Sequence, residues 1–348
     1  MRYLLLLLII LGQKTVANDK ATSRAVDHAP IGVMFDHYHK KGEWMISARQ
    51  SHMEMTNNIF NGNAVSVADV LEMPNPLSIQ PANLSIVPAK MGMQMTMVGV
   101  MFAPTNKITL MAMINYISKD MNLNTHQEIM SRDLIGSFST STSDVSDMTI
   151  STLIKLKEDD KSRWSGEISL QKSLSQKDIE GNVLTPMGQT MEMVLPYAMQ
   201  TGDGASRFTF GITNIRKITD NLIWGNQVRT KAVIDEDAWA FGNQYSVTTW
   251  LQYEVSRQFS VSTRLKFDHE NKILGRNLSV VAPVQTANTE NYGGKELQLG
   301  LGANLLAKLL HGKNDRLGLE LLIPLQQNKN NLQMATDYKI IFGYQKAI

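Results

Sequence analysis

Apolar and polar residues alternate with a period of two along most of this 348-residue chain. In one clear stretch Phe259, Val261 and Leu265 share one face of an extended chain, while Arg264 and Lys266 share the other. Such alternation is typical of a β-strand with one apolar and one polar face. The pattern predicts about twelve strands of roughly 10 to 14 residues, long enough to cross a bilayer at a tilt. The predicted strands span residues 44–55, 90–102, 108–118, 147–157, 162–175, 205–218, 222–234, 244–255, 259–268, 295–308, 315–327 and 334–346.

The predicted connections alternate in length. Long loops follow the first, third, fifth and ninth predicted strands, shorter loops follow the seventh and eleventh, and tight turns follow the even-numbered strands. Outer-membrane barrels have this asymmetry, with short periplasmic turns, longer extracellular loops and an even number of strands. The sequence therefore predicts an all-β fold, a closed antiparallel transmembrane β-barrel of about twelve strands over residues 44–348. A soluble β-sandwich with the same alternation is the alternative fold.

Aromatic residues occur near several of the predicted strand ends. Such residues form girdles at the two membrane interfaces of a barrel, although this chain is only 7% aromatic. The candidate girdle residues are Trp44, Tyr116, Trp164, Trp224, Tyr245 and Tyr344.

The N-terminus has the features of a secretory signal peptide. Arg2 is followed by the apolar run Leu4 to Leu11 and then by small residues that end at Ala17. The run is too short to span a membrane as a helix, because a span needs about 20 apolar residues. We therefore expect residues 1–17 to be a signal peptide and residues 18–43 to form a periplasmic arm or plug segment. The expected location is the outer membrane of a Gram-negative bacterium, with membrane lipid and the barrel assembly machinery as partners.

Composition excludes several classes of function. The formal net charge is +2, and no basic run is interleaved with aromatic residues, so nucleic acid is not an expected partner. The chain has no cysteine, which excludes disulfides and cysteine-ligated metal sites. His126, His269 and His311 stand apart from any nucleophile motif, so we do not expect an enzyme.

Methionine is unusually frequent, with 21 residues, and nearly all of them precede residue 200. From Met91 to Met97 the methionines alternate with Gln94 and Thr96, and the polar residues are better suited to a lumen, so we expect these thioethers to face lipid. Other side chains are expected to line the lumen or contact a substrate. These candidates are Met45, Arg49, Met53, Met55, Arg264, Lys266, Glu296, Gln298 and Glu320.

Two functions fit this pattern. In the first, a partly apolar lumen lets small hydrophobic or aromatic substrates pass, and no cofactor is needed. In the second, thioethers and imidazoles bind or export copper, because both ligand types suit Cu(I). The candidate ligands in this alternative are His28, His37, His39, His52, Met53 and Met55.

Several segments resemble methionine-rich, transporter-like barrels similar to the outer-membrane family named for the meta-pathway of phenol degradation. The similar segments are residues 27–34, 36–45, 86–88, 100–104, 109–111, 195–200, 202–204 and 293–294. The resemblance implies an outer-membrane barrel that is a passive channel for small compounds, including aromatic ones, and it supplies no site residue. This chain has Phe35 where the group more often has a small residue, and it ends at Ile348 without a terminal aromatic residue.

Overall fold

The computed structural model describes residues 24–77, 80–128, 131–307 and 315–348. The expected signal peptide, residues 1–17, and the start of the arm lie outside the described residues. Twelve long strands dominate the chain. They are β1 (Trp44–Phe60), β2 (Ile86–Phe102), β3 (Ile108–His126), β4 (Leu134–Glu158), β5 (Ser162–Ser173), β6 (Ser206–Lys217), β7 (Leu222–Asp235), β8 (Gln244–Ser256), β9 (Phe259–Glu270), β10 (Gly294–Ala307), β11 (Asp315–Lys329) and β12 (Leu332–Ala347).

Every long strand pairs antiparallel with the next along the chain, and β12 pairs with β1. This last pairing runs from Met45 opposite Ala347 to Phe60 opposite Leu332. The sheet is therefore closed, and its long strands have no free edge, which a bilayer requires because lipid offers no hydrogen-bond partner. The prediction of a closed twelve-stranded antiparallel barrel is confirmed.

Two details of the predicted strands and connections were wrong. The serine- and threonine-rich segment expected to be a loop belongs to β3 and β4, where Ser141 donates a hydrogen bond to Asp120 Oδ1 at 2.7 Å. Backbone hydrogen bonds between the two strands, together with side-chain hydrogen bonds such as this one, continue the strands through the polar segment. The loop expected after the eleventh strand is a two-residue turn, Asn330-Asn331, in which Asn331 has a φ of 48°. Asparagine tolerates this left-handed conformation, and the chain reverses without a loop.

The outer surface of the barrel carries an apolar belt near the end where the short turns lie, here called the short-turn end. Trp44, Trp164 and Trp224 are exposed at this end, close to the first residues of their strands, as expected of an interface girdle. The opposite end, with most of the long connections, is called the long-loop end. Exposed members of the belt include Val98, Val100, Leu110, Ile114, Ile150, Leu170, Phe210, Val228, Val247, Leu251, Leu265, Leu301, Leu319, Ile323, Ile340 and Phe342.

Three segments outside the barrel strands fold into the lumen. The N-terminal arm, residues 24–43, occupies the short-turn end, and the connections 174–205 and 271–293 cover the long-loop end. Short elements within them are three 3-10 turns, Ala25–Asp27, Tyr197–Met199 and Gln285–Ala287, the hairpin Glu180–Leu184 with Thr190–Val194, and the strand Leu274–Gly275, which pairs with Trp239–Ala240. A six-residue α-helix, Val67–Glu72, follows β1. Among the described residues, no helix is both long enough and apolar enough to cross a membrane.

Candidate substrate chamber in the barrel lumen

The N-terminal arm is fixed to the inner wall by hydrogen bonds to polar residues that point inward. The backbone N–H of Gly32 donates to Glu320 Oε2 at 2.9 Å, and Glu320 is in turn held by a bidentate ion pair with Arg264 at 2.7 and 3.0 Å. Gln227 Nε2 donates to the carbonyl of Met34 at 2.7 Å. Because both Glu320 and Arg264 are buried, this pairing satisfies charges that would otherwise be costly in the barrel interior.

Glycines on two adjacent strands make room for the arm. A Cβ at Gly343 would lie 2.5 Å from Ile31 Cγ1, and one at Gly318 would lie 2.7 Å from Ile31 Cβ. Gly318 and Gly343 are opposite each other in the β11–β12 ladder, so they form one flat patch. The Ile31 side chain, which is fully buried, packs on that patch.

The tip of the arm carries an aromatic residue in an unusual backbone conformation. Phe35 has a φ of 61°, in the left-handed region where glycine is favoured. Its ring is buried against residues of β1 to β4, and the Arg229 guanidinium lies 5.4 Å from the ring centroid. The packed residues are Met45, Met101, Met111 and Leu153.

The connections at the long-loop end form a lid over the lumen. Tyr197 is fully buried in it, its ring 4.7 Å from that of Trp239, and its hydroxyl accepts a hydrogen bond from Asn277 N at 2.8 Å. The inward-pointing Lys119 of β3 donates to the carbonyls of Ala198 and Gln200, at 2.8 and 2.6 Å. The interior of the lid is apolar. Its buried side chains Val183, Leu195, Met199, Ala282 and Val284 pack with Ile86, Met91, Met121 and Leu123 of β2 and β3.

Next to the arm, within the barrel strands, lies a cavity of about 530 Å³, here called the chamber. Gly32, Met34 and Phe35 of the arm form its floor. An apolar cavity of about 150 Å³ is enough to hold benzene, so the chamber is large enough for one or two molecules with a single aromatic ring.

One side of the lumen is a methionine wall on β1, β2 and β3. Strand alternation points the odd-numbered residues of these strands inward, and Met53, Met55, Met97 and Met113 line the chamber directly. The expectation that the thioethers from Met91 to Met97 face lipid is therefore wrong. The wall consists of Met45, Met53, Met55, Met91, Met93, Met95, Met97, Met101, Met111, Met113 and Met121.

The reason for this error lies on the outer face of the same strands. Thr96 donates a hydrogen bond to Gln50 Oε1 across the β1–β2 ladder at 2.5 Å, so two outward polar groups satisfy each other. The inward methionines are covered partly by the arm and the lid, which also give the lumen an apolar surface. The prediction that Gln94 and Thr96 point inward assumed a uniformly polar lumen. The lumen is in fact partly apolar.

The rest of the chamber lining, on β7 to β12, carries many charges and is here called the charged wall; it meets the methionine wall where Lys339 of β12 lies beside Met53 of β1. Several of its charges are already paired: Arg229 with Glu167, at 2.8 Å, and Lys266 with Asp268, at 2.6 Å. Lysine and arginine outnumber carboxylates on this wall. Its charged members are Arg229, Lys231, Arg264, Lys266, Lys295, Lys329 and Lys339, with Asp268, Glu270 and Glu296.

Among the residues that the structure describes, three lysines of the charged wall have no such partner: Lys295, which is exposed, and Lys231 and Lys339, which are not. Lys231 of β7 and Lys339 of β12 line the chamber, and within the described residues neither donates a hydrogen bond nor forms an ion pair. By contrast, Lys329 donates to Met334 O and Thr336 Oγ1, both at 2.9 Å. Lys231 and Lys339 therefore offer ammonium groups that an anion in the chamber can contact.

The structure places the nine expected lumen residues as follows. Met53, Met55, Arg264, Lys266, Glu296 and Gln298 line the chamber. Met45 packs beneath Phe35, Arg49 contacts the Met34 thioether, and Glu320 holds Gly32, so these three residues support the floor.

The expected copper ligands do not converge on one point. His52 points to the outer face of β1, where its Nε2 lies 3.7 Å from Glu54 Oε2, whereas Met53 and Met55 line the chamber. His28 and His37 lie together in the arm, with Asp36 between them. His39 is next to His37, with their ring centroids 5.0 Å apart.

The histidines of the arm are buried, which affects their protonation. Burial and the nearby Arg316 lower the pKa of His28 well below its ordinary value, and burial lowers the pKa of His39 to about 3. Burial alone would raise the pKa of Asp36, but the charge and hydrogen bond of His37 hold it well below its usual range. His28 and His39 are thus neutral imidazoles at physiological pH.

Sequence reasoning missed Lys231, Lys339, Met97 and Met113 as chamber residues. The sequence contains a clue to such residues, the parity of their positions. A residue that lies an even number of positions from a buried residue of the same strand points to the same side of the sheet. For β3 this parity is readable, since Thr109, Asn115 and Lys119 share a face with Met113. For Lys231 and Lys339 the parity is not readable, because each lies close to a register shift in its β-ladder. Beyond the shift, residues of the other parity point inward.

No protein-family model matches the sequence, so the resemblance to the phenol meta-pathway family is not supported by a family match. The search of curated protein sequences gave no match either. Among solved structures, an outer-membrane channel from Pseudomonas putida F1 is similar with a TM-score of 0.55 and 11% identity, over 89% of this chain and 97% of that one. A FadL homologue from Pseudomonas aeruginosa is more weakly similar, with a TM-score of 0.38, 8% identity and coverage of 88% and 90%. The barrel fold of this chain is that of outer-membrane channels.

Proposed function

We propose that this protein is an outer-membrane channel for small hydrophobic or aromatic compounds, and that compounds with a negative charge pass most readily. The observation that carries the proposal is the chamber, which is lined by the methionine wall and by Lys231 and Lys339. Thioethers make favourable contacts with aromatic rings, worth about 0.3–1.5 kcal/mol each. An unpaired ammonium group attracts an anion strongly where water is partly excluded.

The remaining parts of the proposal follow from the fold and the sequence. Residues 1–17 act as a signal peptide, residues 18–43 as the arm, and residues 44–348 as the barrel, inserted by the assembly machinery into the outer membrane of a Gram-negative bacterium. The short-turn end faces the periplasm, as in other barrels of this kind. The proposed activity is passage of a solute, with no chemical step.

The test compares two solutes that share a ring and differ in fixed charge. Purified protein is reconstituted in liposomes, and uptake of benzenesulfonate is compared with uptake of trimethylphenylammonium. We expect faster uptake of benzenesulfonate, and a smaller difference in the double variant Lys231→Gln with Lys339→Gln. Lys90→Gln is the matched control, because Lys90 is an outward lysine paired with Glu54. Equal uptake of the two solutes by the unchanged protein would contradict the charge preference.

A further inference from the structure

The arm contains a cluster of metal-ligating side chains that the proposed channel function does not use. His28, Asp36 and His37 each offer one ligand atom, and these three atoms lie within 4.8 Å of one another. Asp36 is buried, and both histidines are at least partly buried. Two imidazoles and one carboxylate are a common ligand set for divalent transition metals.

The backbone of the arm brings these residues together. The chain turns at Pro30 to Val33, where Val33 N donates to Pro30 O at 2.9 Å, and Ala29 N donates to Asp36 Oδ2 at 2.9 Å. The second bond holds Asp36 beside the residue that follows His28. Residues eight or nine positions apart in the sequence are thereby placed side by side.

The His37 imidazole is already in contact with the carboxylate that shares the cluster with it. Its Nδ1 lies 2.8 Å from Asp36 Oδ1, while its Nε2 is buried and has no hydrogen-bond partner. The Nε2 of His39, the neighbouring imidazole, is likewise buried without a partner. A buried ring nitrogen without a partner is costly, because its hydration is lost and nothing replaces it. A metal ion in the cluster would be a partner for an imidazole whose ring faces it.

We propose that His28, Asp36 and His37 bind one divalent transition-metal ion of the Zn²⁺ type, with His39 as the nearest further imidazole. The site differs from the thioether and imidazole set expected for Cu(I), because nitrogen and oxygen ligands suit a divalent ion better. The metal would join the two sides of the arm turn and hold the segment that forms the chamber floor in its compact shape.

The test is a titration of the folded mature protein in detergent, stripped with a chelator, with Zn²⁺ alone. We expect one Zn²⁺ per chain, with at least 10-fold weaker binding after His28→Asn or His37→Asn. His52→Asn is the matched control and should leave the affinity unchanged, because His52 points out of the barrel. Heat-modifiable gel mobility confirms that each variant is folded.

A second measurement keeps the proposal testable if the variants fail to fold. The unchanged protein is loaded with Cu²⁺, and its electron paramagnetic resonance spectrum should show nitrogen hyperfine structure from two imidazoles. Absence of Zn²⁺ binding, affinity that survives the His28→Asn and His37→Asn pair, or a Cu²⁺ spectrum without nitrogen ligands would overturn the site. Solute uptake is measured separately, so failure of the metal site is distinguishable from failure of the channel.

Discussion

At the scale of single residues, two opposing energies act at Phe35, the strain of its backbone and the packing of its ring. Its left-handed backbone costs an L-residue about 1–2 kcal/mol, which glycine would avoid. Its buried ring packs on Met45, Met101 and Leu153, and removing such a ring costs about 3–5 kcal/mol. Packing is the larger effect, and this explains why an aromatic residue is tolerated at a position that suits glycine.

We therefore expect Phe35→Gly to lower the free energy of unfolding by about 1–4 kcal/mol, the difference between these two effects. Guanidinium unfolding of the reconstituted protein measures it. Phe35→Leu keeps most of the packing and should lose less stability than Phe35→Gly. A Phe35→Gly protein more stable than the unchanged chain would show that backbone strain outweighs packing.

Asp203 gives the lid a dependence on pH. Burial alone would raise its pKa, but Arg207 and the backbone N–H groups of Phe241 and Ala205 hold the pKa below its usual value. A carboxylate with a lowered pKa stabilises the folded state above its ordinary pKa, and this contribution is lost as the pH falls toward the lowered value. The lid should therefore be most firmly closed near neutral pH.

We expect amide hydrogen exchange in residues 174–205 to accelerate as the pH falls below about 4, after correction for the intrinsic exchange rate. Asp203→Asn should remove this dependence and loosen the lid at pH 7 by about 3–5 kcal/mol, because it leaves Arg207 buried without its charge partner. Corrected exchange that is the same at pH 7 and at pH 3 would contradict this role of Asp203.

Methionine orientation marks the limit of sequence reasoning at this scale. Alternation correctly grouped Met91 to Met97 on one face, but it could not say which face was inside. Hydrophobicity decides that question only when the lumen is polar throughout. Here the arm and the lid bring apolar groups such as Ile31 and Tyr197 into the barrel, so an apolar wall can also face inward.

At the scale of elements, the glycine patch on β11 and β12 is what seats the arm. Gly343→Val would put a branched side chain where Ile31 now lies, and the arm would have to leave the wall. We expect a several-fold higher conductance in planar bilayers, because the arm covers the short-turn end. Gly92→Val is the control, since a Cβ at Gly92 meets no atom within 4 Å. An unchanged conductance in Gly343→Val would show that the arm does not limit passage.

The two faces of β2 should respond differently to a charge. Val98 is exposed within the apolar belt, and an arginine near the midplane of a bilayer costs about 2–4 kcal/mol. Val98→Arg should therefore destabilise the barrel in liposomes by about that amount. Met97→Arg, on the adjacent inward position, should cost less because the guanidinium enters the chamber. Similar losses in the two variants would contradict the assigned faces.

Strand bounds were predictable where alternation was strict, as in β8 and β9. They were missed in β3 and β4, where ladder pairing continues through a polar segment that has the composition of a loop. Pairing depends on the neighbouring strand, which a single segment does not specify. The turn Asn330-Asn331 was missed for the same reason, since its register is set by β11 and β12 together.

At the scale of the whole molecule, the closed barrel was predictable because one repeated signal, alternation with uneven connections, extends over the entire chain. The chamber was not predictable, because its floor depends on contacts between distant segments. The bond from Gly32 to Glu320 joins residues 288 positions apart. The nine expected lumen residues lie on the inner side of the barrel. Charged residues on strands such as β9 have one favourable side.

The central claim is that the chamber passes small aromatic anions through contacts with both of its walls. The most direct measurement is uptake by liposomes of benzenesulfonate and of gluconate, two anions of which only the first has an aromatic ring. We expect the protein to raise the rate for benzenesulfonate well above that of empty liposomes and above that for gluconate. We also expect Met97→Ser with Met113→Ser to remove the difference, whereas Met148→Ser, on the outer face, should not. Equal rates for the two anions, or rates no higher than those of empty liposomes, would contradict the account.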